Sequence, residues 1–294
     1  MSNENTFRRM LEAGQTIVAP SVWCALTAKM AEAEGFKCLY LGAGPLGYLR
    51  CVTEANMSLP EMTDVGLEIR SASALPLVLD GTCGWGDPMH LRRTMNMSEA
   101  AGFAGIEVED QPMPKRAHHH VGIEHLIPQD LMVAKIQEMV RARRDPDFVI
   151  IGRTNAARCA TLEEALRRGE AYKKAGADML FVLPKADADV EYLAKRLPPP
   201  LMYMTLGGGF DSMPHSVEEM GQMGYRFLVD PMTPVLAVHH AMRQSYRAIK
   251  QMKPDPLLGK SSQQEHEALN LSISLEELLA VERATVEPGP DMTR

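Results

Sequence analysis

The sequence contains no Cys-x-x-Cys pair. Its five cysteines, Cys24, Cys38, Cys51, Cys83 and Cys159, are odd in number and widely spaced. That excludes a paired-cysteine metal or redox motif and fits reduced thiols in a cytoplasmic protein. A surplus of basic residues is also missing: 31 Lys and Arg stand against 38 Asp and Glu, a formal net charge of −7. A general nucleic-acid binder needs a basic surface to neutralise phosphates, so that class is set aside. An anionic small molecule stays open as a partner, because one arginine and a bound metal reverse the sign inside a pocket. No apolar run reaches the roughly 20 residues of a membrane span. The opening Met1-Ser2-Asn3-Glu4-Asn5 lacks the basic-then-apolar pattern of a leader. The expected location is therefore the cytoplasm, with no membrane partner.

What is present is a long chain, 294 residues with 45% hydrophobic positions, in which short apolar runs alternate with helical segments. Strands are expected at Gln15–Pro20, Lys37–Leu41, Leu75–Asp80, Gly105–Glu109, Phe148–Arg153, Met179–Leu183, Leu201–Thr205 and Arg226–Val229. They are continuous in Val, Ile, Leu and Phe, as strands buried on both faces must be. Helices are expected between them. Ser21–Glu34 stops at Gly35, Thr161–Ala175 at Gly176 and Ser216–Met223 at Gly224. Thr161 with Glu164, and Ser216 with Glu219, have capping-box spacing. Eight such repeats predict parallel strands closed into a (β/α)8 TIM barrel over residues 1–250, the size such a barrel commonly has. An open doubly wound sheet is the rival, but no GxGxxG follows the first strand. Residues 251–294 read differently. Lys253–Gln264 is polar and contains Pro and Gly, a linker. Ser274–Glu282 predicts an amphipathic helix with Leu275, Leu278 and Leu279 on one face. An isolated apolar stripe must be covered, most simply by a neighbouring subunit.

In such a barrel the chemistry sits at the C-terminal ends of the strands. The third strand ends in Asp80 before a Gly-rich turn, Gly81 to Gly86, and the fourth ends in Glu109-Asp110 with Glu107 on the same side as Glu109. Acids beside apolar strands are costly unless paired or bound to a metal. Asp80 and Glu109 on adjacent strands suit a hard divalent cation such as Mg2+; an Asx turn or a helix cap is the rival reading for Asp80. The fifth strand ends in Arg153-Thr154-Asn155. A guanidinium there grips a carboxylate with paired hydrogen bonds, or forms a structural ion pair with a neighbouring acid. The cationic run Lys115-Arg116-Ala117-His118-His119-His120 reads as a lid over an anionic substrate. Gly207-Gly208-Gly209 is either an anion cradle or a flexible loop.

These pieces, in this order, resemble the isocitrate lyase / phosphoenolpyruvate mutase family. The matching stretches are Leu77–Gly86, Ile106–Arg116, Ile150–Ala156, Ala175–Phe181, Gly224-Tyr225 and Pro231-Met232, with Phe7–Lys29 and Ala241–Ile249 at the two ends. The resemblance implies Mg2+ or Mn2+ held by Asp80 and Glu109, with Thr82 standing where a second metal-site Asp is usual. It implies Arg153 on the anionic end of a small carboxylate substrate, the backbone at Ala43 and Gly44 on a carboxylate, and Trp23 along the pocket. It further implies a gating loop, a C-terminal helix exchanged between subunits, and a homotetramer built as a dimer of dimers.

The departures are specific. The family's Asp-x-Asp has become Asp80-Gly81-Thr82. The gating-loop Cys-Gly of the lyase branch is Ala117-His118, so the thiol acid is gone. The acid expected after strand two falls at Thr53 or, one place on, at Glu54. The lyases' Asn-Met-x-Glu is Tyr203-Met204-Thr205-Leu206, an apolar drift that suggests a bulkier or less polar substrate. The expected function is Mg2+-dependent carbon–carbon cleavage of a small 2-hydroxy or 2-oxo (di)carboxylic acid through an enolate. Arg116, His118, His119 and Glu54 are the candidate catalytic groups, one of the histidines replacing the thiol as proton donor. Tyr203 and Thr205 would line the substrate pocket. An oxaloacetate-type decarboxylase, a C–P bond mutase or hydrolase, and a catalytically impaired member are the alternatives.

Overall fold

A computed structural model describes residues 6–205 and 207–286. Eight strands carry the fold: β1 (Ile17–Pro20), β2 (Leu39–Leu41), β3 (Leu77–Asp80), β4 (Gly105–Glu109), β5 (Val149–Thr154), β6 (Met179–Val182), β7 (Leu201–Met204) and β8 (Tyr225–Asp230). They form one sheet in the order β1-β8-β7-β6-β5-β4-β3-β2, every ladder parallel. The ring is completed beyond the end of β1, where Ser21 bridges Tyr40 of β2 and the Val22 N–H donates to the Tyr40 carbonyl at 2.9 Å. The expected (β/α)8 TIM barrel is the observed one. β1 starts two residues later than expected because the Gln15 N–H already donates to Met10 O.

Alternation along each strand sorts side chains into two layers. Val78, Val149, Ile151, Met179, Phe181 and Met202 face the barrel interior. Leu77, Leu79, Ile106, Val108, Ile150 and Leu180 face the helices. The helix Phe7–Glu12, capped by Thr6, puts Phe7 edge-on against Phe227 with ring centroids 4.9 Å apart. Phe7 and Met10 thereby join the inner layer, whose apolar side chains run from there up the strands. Among the described residues, the charged side chains Asp80, Glu107 and Arg153 enter toward the C-terminal ends of their strands.

Capping chemistry sets the outer helices as their sequence requires. Thr161 accepts from the Glu164 N–H at the start of Leu162–Ala175, and Gly176 ends it at φ 108°. Ser216 and Glu219 form the capping box of Val217–Gln222. A left-handed residue after a helix is inexpensive only for glycine.

The chain falls into two compact units, Met1–Val235 and Leu236–Arg294. The second contains most of the helix Thr233–Lys250, then Ser262–Ser272 and Leu275–Thr285. The Ser262–Ser272 helix begins inside the stretch read as a linker. Its first six residues, Ser262–Glu267, are all polar, so it shows no apolar stripe in sequence. The expected amphipathic helix is present, and Leu278, Val281 and, just before it, Ile273 are exposed on this chain. Among the described residues no helix is long and apolar enough to cross a membrane.

Candidate active site

β3 is an apolar run that ends in a carboxylate. The chain turns sharply after it: a Cβ at Gly81 would lie 2.6 Å from the Glu107 carbonyl, so only glycine lets the β3 and β4 tips approach this closely. The turn brings the Thr82 N–H onto Asp80 Oδ1 at 3.0 Å, and the Ala43 N–H donates to Oδ2 at 3.0 Å. Across the ladder Asp80 is the register partner of Glu107, while Glu109, one layer nearer the mouth, is the partner of Arg153.

Arg153 ties the tips of β4 and β5 together. Its Nη1 donates to Glu107 at 2.6 Å, its Nε lies 3.3 Å from Glu109, and its guanidinium stacks 4.9 Å from the Phe181 ring centroid. Tyr40 donates to the other Glu107 oxygen at 2.9 Å. Asn155 donates to Glu109 at 2.8 Å. The Lys115 ammonium, buried under the lid segment, is ion-paired with both Glu109 and Glu54. His119 Nε2 then lies 3.0 Å from Glu54, and its Nδ1 is 2.7 Å from the Arg116 carbonyl. A run of alternating charge thus leads from Arg153 through Glu109, Lys115 and Glu54 to His119.

These groups surround a cavity of about 210 Å³ at the C-terminal end of the barrel. Its floor and one side are Tyr40, Asp80, Glu54, Lys115, His119 and Arg153; Leu183, Met204, Pro231 and Met232 supply an apolar side. Burial, then Glu107 and Glu54, push the Asp80 carboxyl up to about 7. Burial also raises Glu107. Glu54 goes the other way: burial opposes its charge, but the Lys115 ammonium and His119 hold it well below the usual carboxylate range. For His119 burial is likewise outweighed by Glu54 and the Arg116 carbonyl, and its pKa rises.

Most of the anticipated residues converge here. Asp80, Glu54, His119, Arg153, Gly44 and Thr205 line the cavity. Glu109 is fully buried behind Lys115. The others are placed differently. Tyr203 faces the helix layer, edge-on to Tyr225, because odd positions of β7 point outward; Met204 and Thr205 supply that wall instead. His118 is exposed and turned to His125, 3.0 Å away. Arg116 is exposed and contributes its carbonyl. Thr82 contributes backbone: its N–H to Asp80, and its carbonyl to the Glu109 N–H. The Ala43 N–H is likewise committed to Asp80. Trp23 packs half-buried against the outer core. Asp87, the next acid after Asp80 in the sequence, is exposed at the N-cap of the helix Pro88–Ala100 and does not line the cavity. Leu206 lies outside the described residues. Gln111, Glu124 and Arg158 are site residues that sequence reasoning did not single out; Lys115 entered only as part of the cationic lid run and Glu107 only as an acid in need of a partner. For Glu107 the usable signal was charge beside an apolar strand that needs a counter-charge.

Among the described residues no three His, Cys, Asp or Glu side chains converge into a ready-made metal cage. The donor set nevertheless fits Mg2+. Five acids, Asp80, Glu54, Glu107, Glu109 and Glu124, face three obligate cations, Lys115, Arg153 and Arg158. With all five ionised, two negative charges are left over when His119 is neutral and one when it is protonated. Mg2+ is typically held by one or two carboxylates and otherwise keeps its waters, so a full protein cage is not required.

Residues 7–250 match the family model described as phosphoenolpyruvate phosphomutase. The chain is 31% identical over 253 residues to a 2,3-dimethylmalate lyase of Eubacterium barkeri, covering 85% of this chain and 87% of that one. It is 30% identical over 260 residues to an oxaloacetate decarboxylase of Rhodopseudomonas palustris, covering 86% and 88%. A solved 2,3-dimethylmalate lyase structure superposes with a TM-score of 0.83 at 26% identity, covering 97% of each chain.

Proposed function

The chain belongs to the phosphoenolpyruvate phosphomutase family, the isocitrate lyase / phosphoenolpyruvate mutase group its motifs resemble, and we propose that it is a Mg2+-dependent carbon–carbon lyase cleaving a small 2-hydroxy or 2-oxo carboxylic acid. The surplus of buried carboxylate around Asp80, at the mouth of the barrel and open to a substrate-sized cavity, carries this reading. Asp80 would hold Mg2+, with Glu54 the neighbouring carboxylate of the lining and Glu109 adding negative charge from behind Lys115. When bound, Mg2+ stabilises the negative charge that develops on the oxygens of a 2-oxo acid as the adjacent bond breaks.

The chain's own groups do the rest. Arg153, fixed by Glu107 and Glu109, presents its remaining guanidinium edge to the cavity and orients a carboxylate. Lys115 holds the lid segment down by its two ion pairs, which excludes water. His119, whose pKa Glu54 raises, lines the cavity and is the side chain assigned to deliver a proton to the leaving fragment, in the role that a thiol cannot fill here. We further propose a cytoplasmic homotetramer. All five thiols are free, and the exposed Leu271, Ile273 and Val281 need a subunit to cover them; sedimentation of a monomer at micromolar concentration would count against that assembly.

Calorimetric titration tests the metal reading. Oxalate, which mimics a pyruvate enolate, is expected to bind in the presence of Mg2+ and not after chelation, with Asp80→Asn abolishing the effect. A panel of 2-hydroxy and 2-oxo diacids with Mg2+, followed by released 2-oxo acid, then identifies the substrate. Absence of metal-dependent oxalate binding in the native protein overturns the proposal.

A further inference from the structure

Three permanent cations line the cavity, and they are not equally engaged. Lys115 is ion-paired with two carboxylates. Arg153 is held by Glu107, Glu109 and Asn155 Oδ1. Arg158 has no side-chain hydrogen bond among the described residues, and its nearest acid is Glu124 at 3.9 Å. That separation is at the outer limit of an ion pair, and the Glu124 carboxylate already accepts from the Gln111 amide. Arg158 sits on the short helix Ala156–Cys159 that follows β5 directly. Its place is therefore fixed by the same strand that fixes Arg153, five residues earlier. A guanidinium offers five donors in a planar fork, and this one, with its side chain 28% exposed, has no protein acceptor among the described residues at the wall of the cavity. A second donor there is also unengaged: the Thr205 hydroxyl is buried without a partner, in the same lining.

We propose that Arg158 is a specificity-determining residue, binding the substrate carboxylate remote from the reacting end and so selecting dicarboxylic over monocarboxylic acids. The inference rests on the lyase reading for the location of the reacting end. Asp80, Lys115 and Arg153 take one end of the substrate. Leu183, Met204 and Met232 border its carbon skeleton. Arg158 meets the charge at the other end, and the Thr205 hydroxyl adds a neutral donor for an oxygen along the way. An arginine–carboxylate pair is directional and charge-assisted, so exchanging the remote carboxylate for a methyl group costs binding without touching the metal end.

The test compares malate with 2-hydroxybutyrate, which has a methyl group in place of the second carboxylate, by calorimetry with MgCl2 present. The native protein is expected to bind malate at least tenfold more tightly. Arg158→Gln should bring the two ligands within about threefold of each other, and Arg158→Lys should keep part of the preference. Oxalate, too short to reach the second charge, should bind the native protein and R158Q alike, which also shows that the variant is folded. The proposal is overturned if the native protein does not prefer malate, if it binds neither acid, or if R158Q keeps the full preference. Failure of the lyase reading looks different: oxalate then fails to bind the native protein, whatever the malate ratio.

Discussion

Asp80 stands directly opposite Glu107 in the β3–β4 register, so two buried carboxylates share one level of the barrel, and Arg153 and Tyr40 both bond to Glu107. Repulsion and burial raise the Asp80 carboxyl to about 7. A carboxyl whose pKa is higher folded than unfolded binds its proton more tightly in the folded chain, so stability falls as pH rises through that value. Between pH 6 and pH 8 a single group with a pKa of about 7 contributes a loss of about 1.4 kcal/mol. We expect the metal-free protein to become less stable over that range by urea denaturation, and D80N to lose that part of the dependence. Equal slopes for the two proteins would remove Asp80 as the source.

The same relationship predicts how metal and protons compete. A proton on Asp80 and a divalent cation beside it exclude one another. Mg2+ should therefore stabilise the protein more at pH 8 than at pH 6. Stabilisation follows RT ln(1 + [L]/Kd), about 2.7 kcal/mol at a hundredfold excess over Kd. The check is thermal unfolding with MgCl2 and with EDTA at both pH values. A metal effect independent of pH would place the ion away from Asp80.

Asp110 is the next residue after the site acid Glu109, yet it points the other way. Its buried carboxylate accepts from Thr154 Oγ1 at 2.6 Å, Tyr172 OH at 2.6 Å and Arg168 Nη1 at 2.9 Å. It anchors the helix Leu162–Ala175 to the tips of β4 and β5. Removing one partner of a buried pair strands the other's charge, at a cost on the order of 3 kcal/mol. Arg168 keeps Glu164 and the Ile127 carbonyl, so D110N should lose about 2 to 3 kcal/mol by urea denaturation while metal-dependent oxalate binding in the folded fraction persists. A stability change under about 0.5 kcal/mol would mean that the network adds little.

The barrel was legible in the sequence because its strands are buried on both faces, and continuous apolar runs closed by Asp80, Glu109 or Arg153 suit little besides a parallel strand with its tip at a polar mouth. The acids were legible for the same reason: charge at the end of such a run is expensive without a counter-charge. Their pairing was less so. Asp80 reads as the neighbour of Glu109, but the ladder register sets it against Glu107, a one-layer offset that spacing along the chain does not encode. Lys115 sits in a polar loop where lysine is ordinary, and only the path of the folded loop buries it between Glu54 and Glu109. Arg158 falls on a four-residue helix with no periodic signal. The helix Ser262–Ser272 is polar over its first six residues, so it left no apolar pattern to read.

The three consecutive histidines are separated by the same loop path. His118 turns outward to His125, His120 bonds Thr53 Oγ1 at 2.8 Å, and His119 alone of the three reaches the cavity. Its neighbour Glu54 stays ionised because Lys115 holds it so, and that charge raises the His119 pKa despite burial. If His119 donates the proton, the protonated form is the active one, and turnover must fall as pH rises through its raised pKa. General acids typically contribute a factor of about 100 to 10,000. Once a substrate is in hand, H119Q should lower kcat by that order with little change in KM and flatten the alkaline limb of the pH profile. H118Q should stay within about twofold of the native enzyme, since its ring has no contact with the cavity. Retention of the alkaline limb in H119Q would assign the proton to another group.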